Sequence, residues 1–322
     1  MAPAPLLEVR GLTVAFPGRS GDRRVVDGID YALSPGRTLG VVGESGCGKS
    51  MTALALIGLV PPPGRVSGSI RFEGSELIGQ SATAWRALRG NRIAIVFQEP
   101  MTALNPVMPI GRQIAEALVL HRDLSWKEAG ERAVGLLDEV GIPSPGTRAA
   151  SYPHQLSGGM RQRAMIAIAL ACEPKLLIAD EPTTALDVTI QAQILELMQE
   201  LQDRIGMAMQ FISHNLAVVS EIAHDIIVMY AGRIVERAPA EMLFGDPRHP
   251  YTRGLIATLP DAGHRVARLP VIPGSVADPD ADFGGCRFAE RCVLADARCR
   301  ATEPAVEEIA SGHLVACYKA MA

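Results

Sequence analysis

The sequence predicts an α/β fold that is organised around a phosphate-binding loop. Residues 38–42, TLGVV, have the composition of a buried strand and residues 51–57, MTALALI, that of a helix, while the glycine-rich run 43–50 lies between them. Two more apolar segments, 93–97 and 175–180, lead into polar side chains. Short apolar strands that alternate with helical segments are typical of a parallel sheet covered by helices. The predicted fold class is therefore α/β.

Residues 43–50, GESGCGKS, match the pattern G-x-x-x-x-G-K-[ST]. Glycines allow the tight turn that brings backbone N–H groups up to phosphate oxygens. In this pattern Lys49 reaches the β- and γ-phosphates, and the Ser50 hydroxyl is a ligand of Mg²⁺. An accidental glycine-rich turn is disfavoured, because the flanking strand and helix both fit the motif. The predicted nucleotide-binding residues of this stretch are Gly43, Glu44, Ser45, Gly46, Cys47, Gly48, Lys49, Ser50 and Met51.

Composition limits the other functions that the chain can have. It has 322 residues, of which 48% are hydrophobic and 20% are charged, so it can bury a large core. A formal charge of −4 gives no electrostatic attraction to nucleic acid or anionic lipid. No apolar run approaches the roughly 18 residues that a membrane-spanning helix needs. The N-terminal residues MAPAPLLEVR lack the pattern of a signal peptide. We expect a cytoplasmic chain that reaches a membrane only through partners.

Polar side chains follow both inner apolar segments. Gln98 follows residues 93–97, where its amide can bind Mg²⁺, hold a water or simply cap the strand. Asp180 ends segment 175–180, and Glu181 comes directly after it. An aspartate in this place can hold Mg²⁺, and the adjacent glutamate can orient and deprotonate an attacking water. We expect these roles rather than plain solvated side chains, because the chain also carries a phosphate loop.

A second glycine-rich segment begins another helix. Ser157, Gly158 and Gly159 precede a helical run at 161–171. Glycines at a helix N-terminus leave backbone N–H donors uncovered, which favours an anion. Because the phosphate loop already provides one anion site, a second one is unexplained unless it serves the nucleotide of another chain.

Three further residues are candidates by position. Asp187 is predicted to cap a long helix that runs to Ile205, and His214 follows the predicted strand 207–213. A histidine at a strand end is usually structural, but this one would lie at the sheet edge where α/β folds bind ligands. Phe16, upstream of the loop, can stack on a nucleobase or be an ordinary core residue.

In this order, the motifs resemble those of the nucleotide-binding subunits of ABC transporters. The similarity runs from about residue 5 to residue 245. It rests on the following elements: GESGCGKS, Gln98, LSGGM with Arg161 and Gln162, KLLIADEP, Asp187 and His214. The resemblance implies a RecA-like parallel sheet with an antiparallel β subdomain, and a helical signature subdomain inserted at about 99–160. It also implies an ATPase that works as a dimer.

The resemblance implies a role for each matching residue. Gln98 resembles the glutamine that senses the γ-phosphate and the membrane subunit, Asp180 resembles the Mg²⁺ aspartate, and Glu181 resembles the general base. His214 resembles the switch histidine, and Phe16 the adenine-stacking aromatic. The implied Mg²⁺ ligands are Ser50, Gln98 and Asp180. The signature residues, which close on the partner's ATP, and the D-loop residue correspond to Ser157, Gly158, Gly159, Gln162 and Asp187.

A narrower resemblance concerns residues 97–106 and 248–252, which are similar to segments of the oligopeptide, dipeptide and nickel import ATPases. It implies peptide import, with nickel or another small solute as the alternative. The implied partners are a second ATPase subunit, expected to be a paralogue, two integral membrane permeases and an external substrate-binding protein. The implied location is the cytoplasmic face of the membrane. ABC ATPases that act on nucleic acid are disfavoured, because they insert a long coiled coil and no sustained heptads occur here.

Four cysteines crowd the C-terminal part, with the spacing C-x5-C-x6-C-x17-C: Cys286, Cys292, Cys299 and Cys317. Four thiolates suit zinc or an iron–sulfur cluster. Structural zinc sites usually contain closer cysteine pairs, and the cluster resembles that of peptide-import ATPases, so we expect a structural [4Fe–4S] centre. Zinc is the first alternative, and unligated cysteines or disulfides are the next. The predicted domains are 1–245, the ATPase domain, and 246–322, a cysteine-rich extension.

Overall fold

The computed structural model describes residues 4–18, 21–184, 186–259, 271–276 and 283–320. The described chain forms two compact units. The first unit holds the residues up to 34, residues 38–78 and the residues from 211 onward, and the second holds residues 35–37 and 79–210.

The described residues form α-helices and β-strands in alternation, which confirms the predicted α/β class. The strands are β1 (Leu7–Pro17), β2 (Asp22–Leu33), β3 (Thr38–Val42), β4 (Arg65–Phe72), β5 (Ser75–Glu76), β6 (Ile93–Val96), β7 (Leu176–Asp180), β8 (Ala208–Ser213), β9 (Asp225–Tyr230), β10 (Arg233–Pro239), β11 (Glu307–Ala310) and β12 (His313–Val315). The helices are α1 (Lys49–Leu56), α2 (Ala82–Leu88), α3 (Pro100–Ala103), α4 (Ile110–Arg122), α5 (Trp126–Glu139), α6 (Pro145–Ala149), α7 (Gly158–Leu170), α8 (Val188–Ile205), α9 (Leu216–Ile222), α10 (Ala240–Gly245), α11 (Pro250–Ala257) and α12 (Ala297–Ala301).

The first unit contains an antiparallel sheet with the strand order β2-β1-β4-β5. Leu7 of β1 lies opposite Leu33 on one side and Phe72 on the other, and all three side chains are buried. Because side chains alternate between the faces of a strand, this register directs the apolar residues of three strands to one core.

The same unit contains a parallel pair, β3 and β9, in which Val41 lies opposite Ile227. All residues of β3 are buried, which explains its continuous apolar sequence, because a strand covered on both faces has no solvent side. β10 joins β9 in antiparallel orientation, and β12 and then β11 extend this sheet. The carboxyl end of β3 leads directly into the phosphate loop.

The second unit contains β6 and β7 as parallel neighbours, with Ile95 opposite Ile178. Helices α3 to α6 follow β6, as expected for a helical insertion in this part of the chain. A capping box is present at the start of α5, where the Ser125 amide donates to Glu128 Oε2 at 2.9 Å. No helix in the described part of the chain is long and apolar enough to cross a bilayer.

The described part of the C-terminal extension belongs to the first unit. β12 adds to the edge of β10, with Glu236 opposite Val315. His313 Nε2 lies 2.7 Å from Glu236 Oε1, and both side chains are buried. The predicted boundary at 245/246 falls within this unit and stays a prediction. Residues 260–270 and 277–282 of the predicted extension lie outside the described residues.

Candidate functional site

The phosphate loop joins β3 to α1 through backbone conformations that only glycine adopts readily. Gly43, Gly46 and Gly48 have φ angles of +152°, +82° and +104°. A Cβ atom on Gly43 would lie 2.2 Å from the Met229 carbonyl oxygen, and one on Gly48 would lie 2.6 Å from the Val25 carbonyl oxygen. Two of the three loop glycines are thus required both by conformation and by close backbone packing.

Lys49 lies over the loop, and its side chain is only 4% exposed. Its ammonium donates to the carbonyl oxygens of Gly43 at 2.6 Å and Glu44 at 3.1 Å. α1 begins at Lys49, and its N-cap, Gly48, offers no side-chain hydrogen bond to the first turn. The amides of that turn therefore suit an anion. Ser45, Gly46 and Ser50 are exposed along the loop, and Met51 is half-buried.

Cys47 turns its side chain into the protein. It is fully buried, and burial raises the pKa of its thiol. Its amide donates to the Glu44 carbonyl at 3.3 Å, and its carbonyl accepts from Gly232 at 3.1 Å. The thiol therefore packs inside the protein, and the residue contributes to the loop through the hydrogen bonds of its backbone.

Two other predicted site residues lie in the first unit. Phe16 is half-buried near the end of β1, opposite Arg23. Its ring lies against Gly64, where an added Cβ would be 2.8 Å from a ring carbon. His214 is exposed and follows Ser213, the last residue of β8. Both residues are thus at strand ends, which for His214 agrees with the predicted strand 207–213.

In the second unit, the structure brings together two of the predicted residues. Asp180 is buried at the end of β7, and Glu181 follows with a φ angle of +48°, which a non-glycine residue rarely adopts. Glu181 Oε2 accepts hydrogen bonds from Gln98 Nε2 at 3.0 Å and from the Thr184 hydroxyl at 2.9 Å. Gln98 and Glu181 meet because β6 and β7 are parallel neighbours, so their carboxyl ends are adjacent. Thr184 is a contact that the motif pattern had not assigned.

The glycine-rich start of α7 is accessible. The Ser157 hydroxyl accepts from the Met160 amide at 3.3 Å and caps the helix, while Ser157 and Gly158 are exposed. Gly159 is half-buried, and an added Cβ would lie 3.1 Å from a methyl carbon of Ile190. Gln162 differs from the other predicted signature residues, because it is only 2% exposed. Its side chain faces the interior of its unit.

Asp187 is exposed and caps α8, with Oδ1 accepting from the Ile190 amide at 2.9 Å. Ala185, in the same motif, lies outside the described residues. The predicted Mg²⁺ ligands are divided between the units, with Ser50 in the first and Gln98 and Asp180 in the second. Hydroxyl, amide and carboxylate oxygens are the kind of donor that Mg²⁺ prefers, so each of these residues suits this ion chemically.

The four C-terminal cysteines all line one small cavity of about 10 Å³. A cavity of this size holds about one water, and a four-iron cluster is far larger. Across the described residues, no group of three or more His, Cys, Asp or Glu side chains is placed to hold a metal ion. Burial raises the pKa of Cys286 to about 11 and also raises the pKa of Cys292 and Cys317. Cys299 lies in α12, and the other three cysteines lie in loops.

Comparison with protein-family models identifies two regions. Residues 26–184 match the family described as ABC transporter, and residues 235–299 match the family described as oligopeptide/dipeptide transporter, C-terminal region. Neither description includes an iron–sulfur centre. Together with the cysteine geometry, this makes the predicted [4Fe–4S] cluster wrong, and the zinc alternative has no support either.

Curated relatives match over nearly the whole chain. A probable peptide ABC transporter ATP-binding protein of Sinorhizobium fredii is 52% identical over 317 residues, which cover 98% of this chain and 95% of the relative. The dipeptide transport ATP-binding protein DppD of Escherichia coli is 49% identical over 314 residues, which cover 97% and 96% of the two chains.

Solved structures share the fold. The ATP-binding cassette MJ0796, in a dimeric post-hydrolysis state bound to ADP and Pi, aligns with a TM-score of 0.66 and 24% identity over 73% of this chain and 98% of that chain. CbiO1 from Clostridium perfringens, part of the ABC transporter complex CbiONQ, aligns with a TM-score of 0.63 and 26% identity over 76% and 92%. The motifs, the fold and the full-length similarity agree, and the chain belongs to the ATP-binding proteins of the ABC transporter family.

Proposed function

We propose that this chain is the ATP-hydrolysing subunit of an ABC importer that carries peptides across the cytoplasmic membrane. One observation supports this most directly: a single chain combines the ABC ATPase motifs with the C-terminal region described for oligopeptide and dipeptide transporters. The relatives of similar length that carry peptide or dipeptide transport names point the same way. Nickel or another small solute is the alternative cargo.

Within one subunit, the phosphate loop provides the nucleotide site. Lys49 would exchange its loop carbonyls for β- and γ-phosphate oxygens, and Phe16 would stack on the adenine. Ser50, Gln98 and Asp180 would hold Mg²⁺, which neutralises phosphate charge when it is bound.

The groups for hydrolysis come from two strand ends. Glu181 would orient the attacking water and accept its proton, with Gln98 and Thr184 fixing the carboxylate by the hydrogen bonds described above. His214 would contact the γ-phosphate from the end of β8. The fixed Glu181 is suited to this work, because a general base must be held within hydrogen-bond reach of the water.

The composite site of the proposed dimer would use the exposed start of α7. Ser157, Gly158 and Gly159 would donate to the γ-phosphate held by the opposing subunit, and Asp187 would lie near the same junction. Gln162 is an unsuitable direct ligand in the conformation described, because its side chain is buried. The second subunit is expected to be a paralogue.

The other proposed partners are two integral membrane permeases and an external substrate-binding protein. The chain would then lie at the cytoplasmic face of the membrane as a peripheral subunit. Its formal charge of −4 offers no general attraction to anionic lipid, so contact with permeases would be the means of attachment.

Reconstitution tests this proposal. The full chain is purified from native membranes with the subunits that accompany it, and ATP hydrolysis is measured in liposomes with and without peptide-loaded binding protein. We expect permease-type membrane proteins to co-purify and peptide to stimulate hydrolysis. Glu181→Gln should reduce turnover by about 10²- to 10⁴-fold while ATP still binds, because it removes only proton transfer and water positioning. Stimulation by nickel but not by peptide would favour the alternative cargo, and co-purification of nucleic acid without permeases would contradict transport.

A further inference from the structure

We propose that Arg291, in the C-terminal extension, is a positioning residue of the ATP site and holds the phosphate loop through Glu44. Its role presupposes that the loop binds ATP. Glu44 is the second residue of the loop and lies 247 positions earlier in the chain than Arg291. Both residues belong to the first unit.

The contact between the two side chains has the geometry of a strong ion pair. Arg291 Nη1 lies 2.6 Å from Glu44 Oε2, and Arg291 Nη2 lies 3.0 Å from Glu44 Oε1. The guanidinium thus donates with two nitrogens to two carboxylate oxygens, an arrangement that fixes orientation as well as distance. The arginine side chain is only 5% exposed and the glutamate side chain is 30% exposed, so water screens the pair only partly.

Arg291 also makes hydrogen bonds and ring contacts with other residues of its own unit. Its Nε donates to the Pro273 carbonyl at 2.8 Å, and Nη2 donates to the Ile272 carbonyl at 3.4 Å. The guanidinium also lies 5.7 Å from the ring centre of Tyr230 and 5.8 Å from that of Phe288. The hydrogen bond to Glu44 raises the pKa of Arg291 further, so the residue is charged at every accessible pH. The extension therefore offers a rigid cation to the loop.

Glu44 links the position of Arg291 to that of Lys49 through its backbone. The Glu44 amide donates to the hydroxyl of Tyr251 at 2.9 Å, which anchors the backbone of the loop to α11. The Glu44 carbonyl accepts from Lys49 Nζ at 3.1 Å and from the Cys47 amide at 3.3 Å. A displacement of Glu44 therefore moves one of the two carbonyls that hold the Lys49 ammonium.

Loss of Arg291 has a second effect on charge. The Glu44 carboxylate would lose its partner while remaining on a loop that receives the triphosphate, and like charges disfavour one another most where solvent is partly excluded. Both consequences weaken ATP binding. An ion pair that serves only the fold would instead lower the melting temperature and leave the affinity of the folded protein unchanged.

The experiment measures ATP affinity of the purified full chain with a fluorescent ATP analogue at 25 °C. Arg291→Ala is expected to raise Kd about 10-fold, which corresponds to about 1.4 kcal/mol. Glu44→Ala is expected to raise Kd by less than this, because it removes the constraint but leaves no unpaired carboxylate. The double variant should match Glu44→Ala, since the arginine acts through the glutamate. Arg300→Ala is the matched control, because Arg300 is an exposed arginine of the same extension that forms a long ion pair with Glu290, at 3.8 Å, and it should keep wild-type affinity.

Two results would overturn the inference. One is a folded Arg291→Ala chain with wild-type affinity. The other is a double variant in which the fold-increase in Kd is the product of the fold-increases of the two single variants. If Arg291→Ala does not fold, Glu44→Ala decides alone, and unchanged affinity there rejects the role. Lys49→Ala separates this question from the proposed function: if the wild-type chain and Lys49→Ala bind the analogue equally, the loop is not the ATP site and the proposed function itself fails.

Discussion

Replacing Arg287 with alanine tests whether the C-terminal extension stabilises the first unit. Arg287 is 9% exposed and makes polar contacts with three other groups of that unit. It forms an ion pair with Asp27, its Nη1 donates to the Ala231 carbonyl at 2.6 Å, and its Nε lies 3.0 Å from Glu303 Oε1. The substitution would leave a buried carboxylate with fewer partners and a buried carbonyl without this donor.

The cost can be worked out from these contacts. Removing one partner of a buried ion pair costs about 3–5 kcal/mol. Asp27 keeps Arg24 at 3.1 Å and Arg233 at 3.2 Å, so the lower end applies. For domains of this size, about 3 kcal/mol corresponds to a decrease of roughly 6–12 °C in melting temperature.

Thermal unfolding at pH 7, followed by circular dichroism at one fixed scan rate, measures the effect. Arg300→Ala serves as the control and should melt within about 1 °C of wild type, because exposed ion pairs contribute little. A melting temperature for Arg287→Ala equal to that of the control would refute the reasoning. It would mean that the arginines around Asp27 add no more to the free energy of unfolding than solvent-exposed charges do.

Three further predictions concern pH, the dimer and the loop. Burial opposes ionisation of Asp27, but hydrogen bonds and charges from arginines outweigh it and lower its folded pKa below 3.8. The stability advantage of wild type over Asp27→Asn should therefore be complete above about pH 4 and disappear as the pH falls through the folded pKa, which urea titrations across pH would show. A subunit carrying Gly159→Asp, mixed with an intact partner, should lose hydrolysis at the partner's phosphate loop; loss only at its own loop would contradict the composite site. Gly43→Ala should weaken ATP binding at least about 10-fold, because its Cβ would lie 2.2 Å from the Met229 carbonyl oxygen, whereas Gly130→Ala, in open space on α5, should bind normally. An equal affinity of the two glycine variants would show that the loop accommodates the methyl group.

Much of the fold follows from local patterns. β3 and β7 have the continuous apolar sequences of strands covered on both faces, and their observed bounds, Thr38–Val42 and Leu176–Asp180, agree with the prediction to within a residue. The phosphate loop is equally local, since its conformation depends on glycines whose φ angles no other residue adopts readily.

The cysteine prediction failed for a physical reason. Spacing along the chain shows which ligands are available, but it does not show whether their sulfur atoms converge. The structure distributes the four cysteines around a cavity of about 10 Å³ and leaves them as free thiols. The motif position of Gln162 likewise does not show how exposed its side chain is. Packing leaves it only 2% exposed, and its assignment to the signature stays a prediction.

The sequence by itself determined the nucleotide motifs, the α/β class and the positions of the main strands along the chain. These features are encoded in short runs of residues, which set the backbone conformation and the burial of each strand. Only the tertiary structure decided the long-range partners. Gln98 meets Glu181 because β6 and β7 are neighbours, and Arg291 meets Glu44 because the described part of the extension packs within the first unit. No sequence pattern predicts such pairs. An arginine and a glutamate that are far apart in the chain form a buried ion pair only when packing brings them together and excludes water from them.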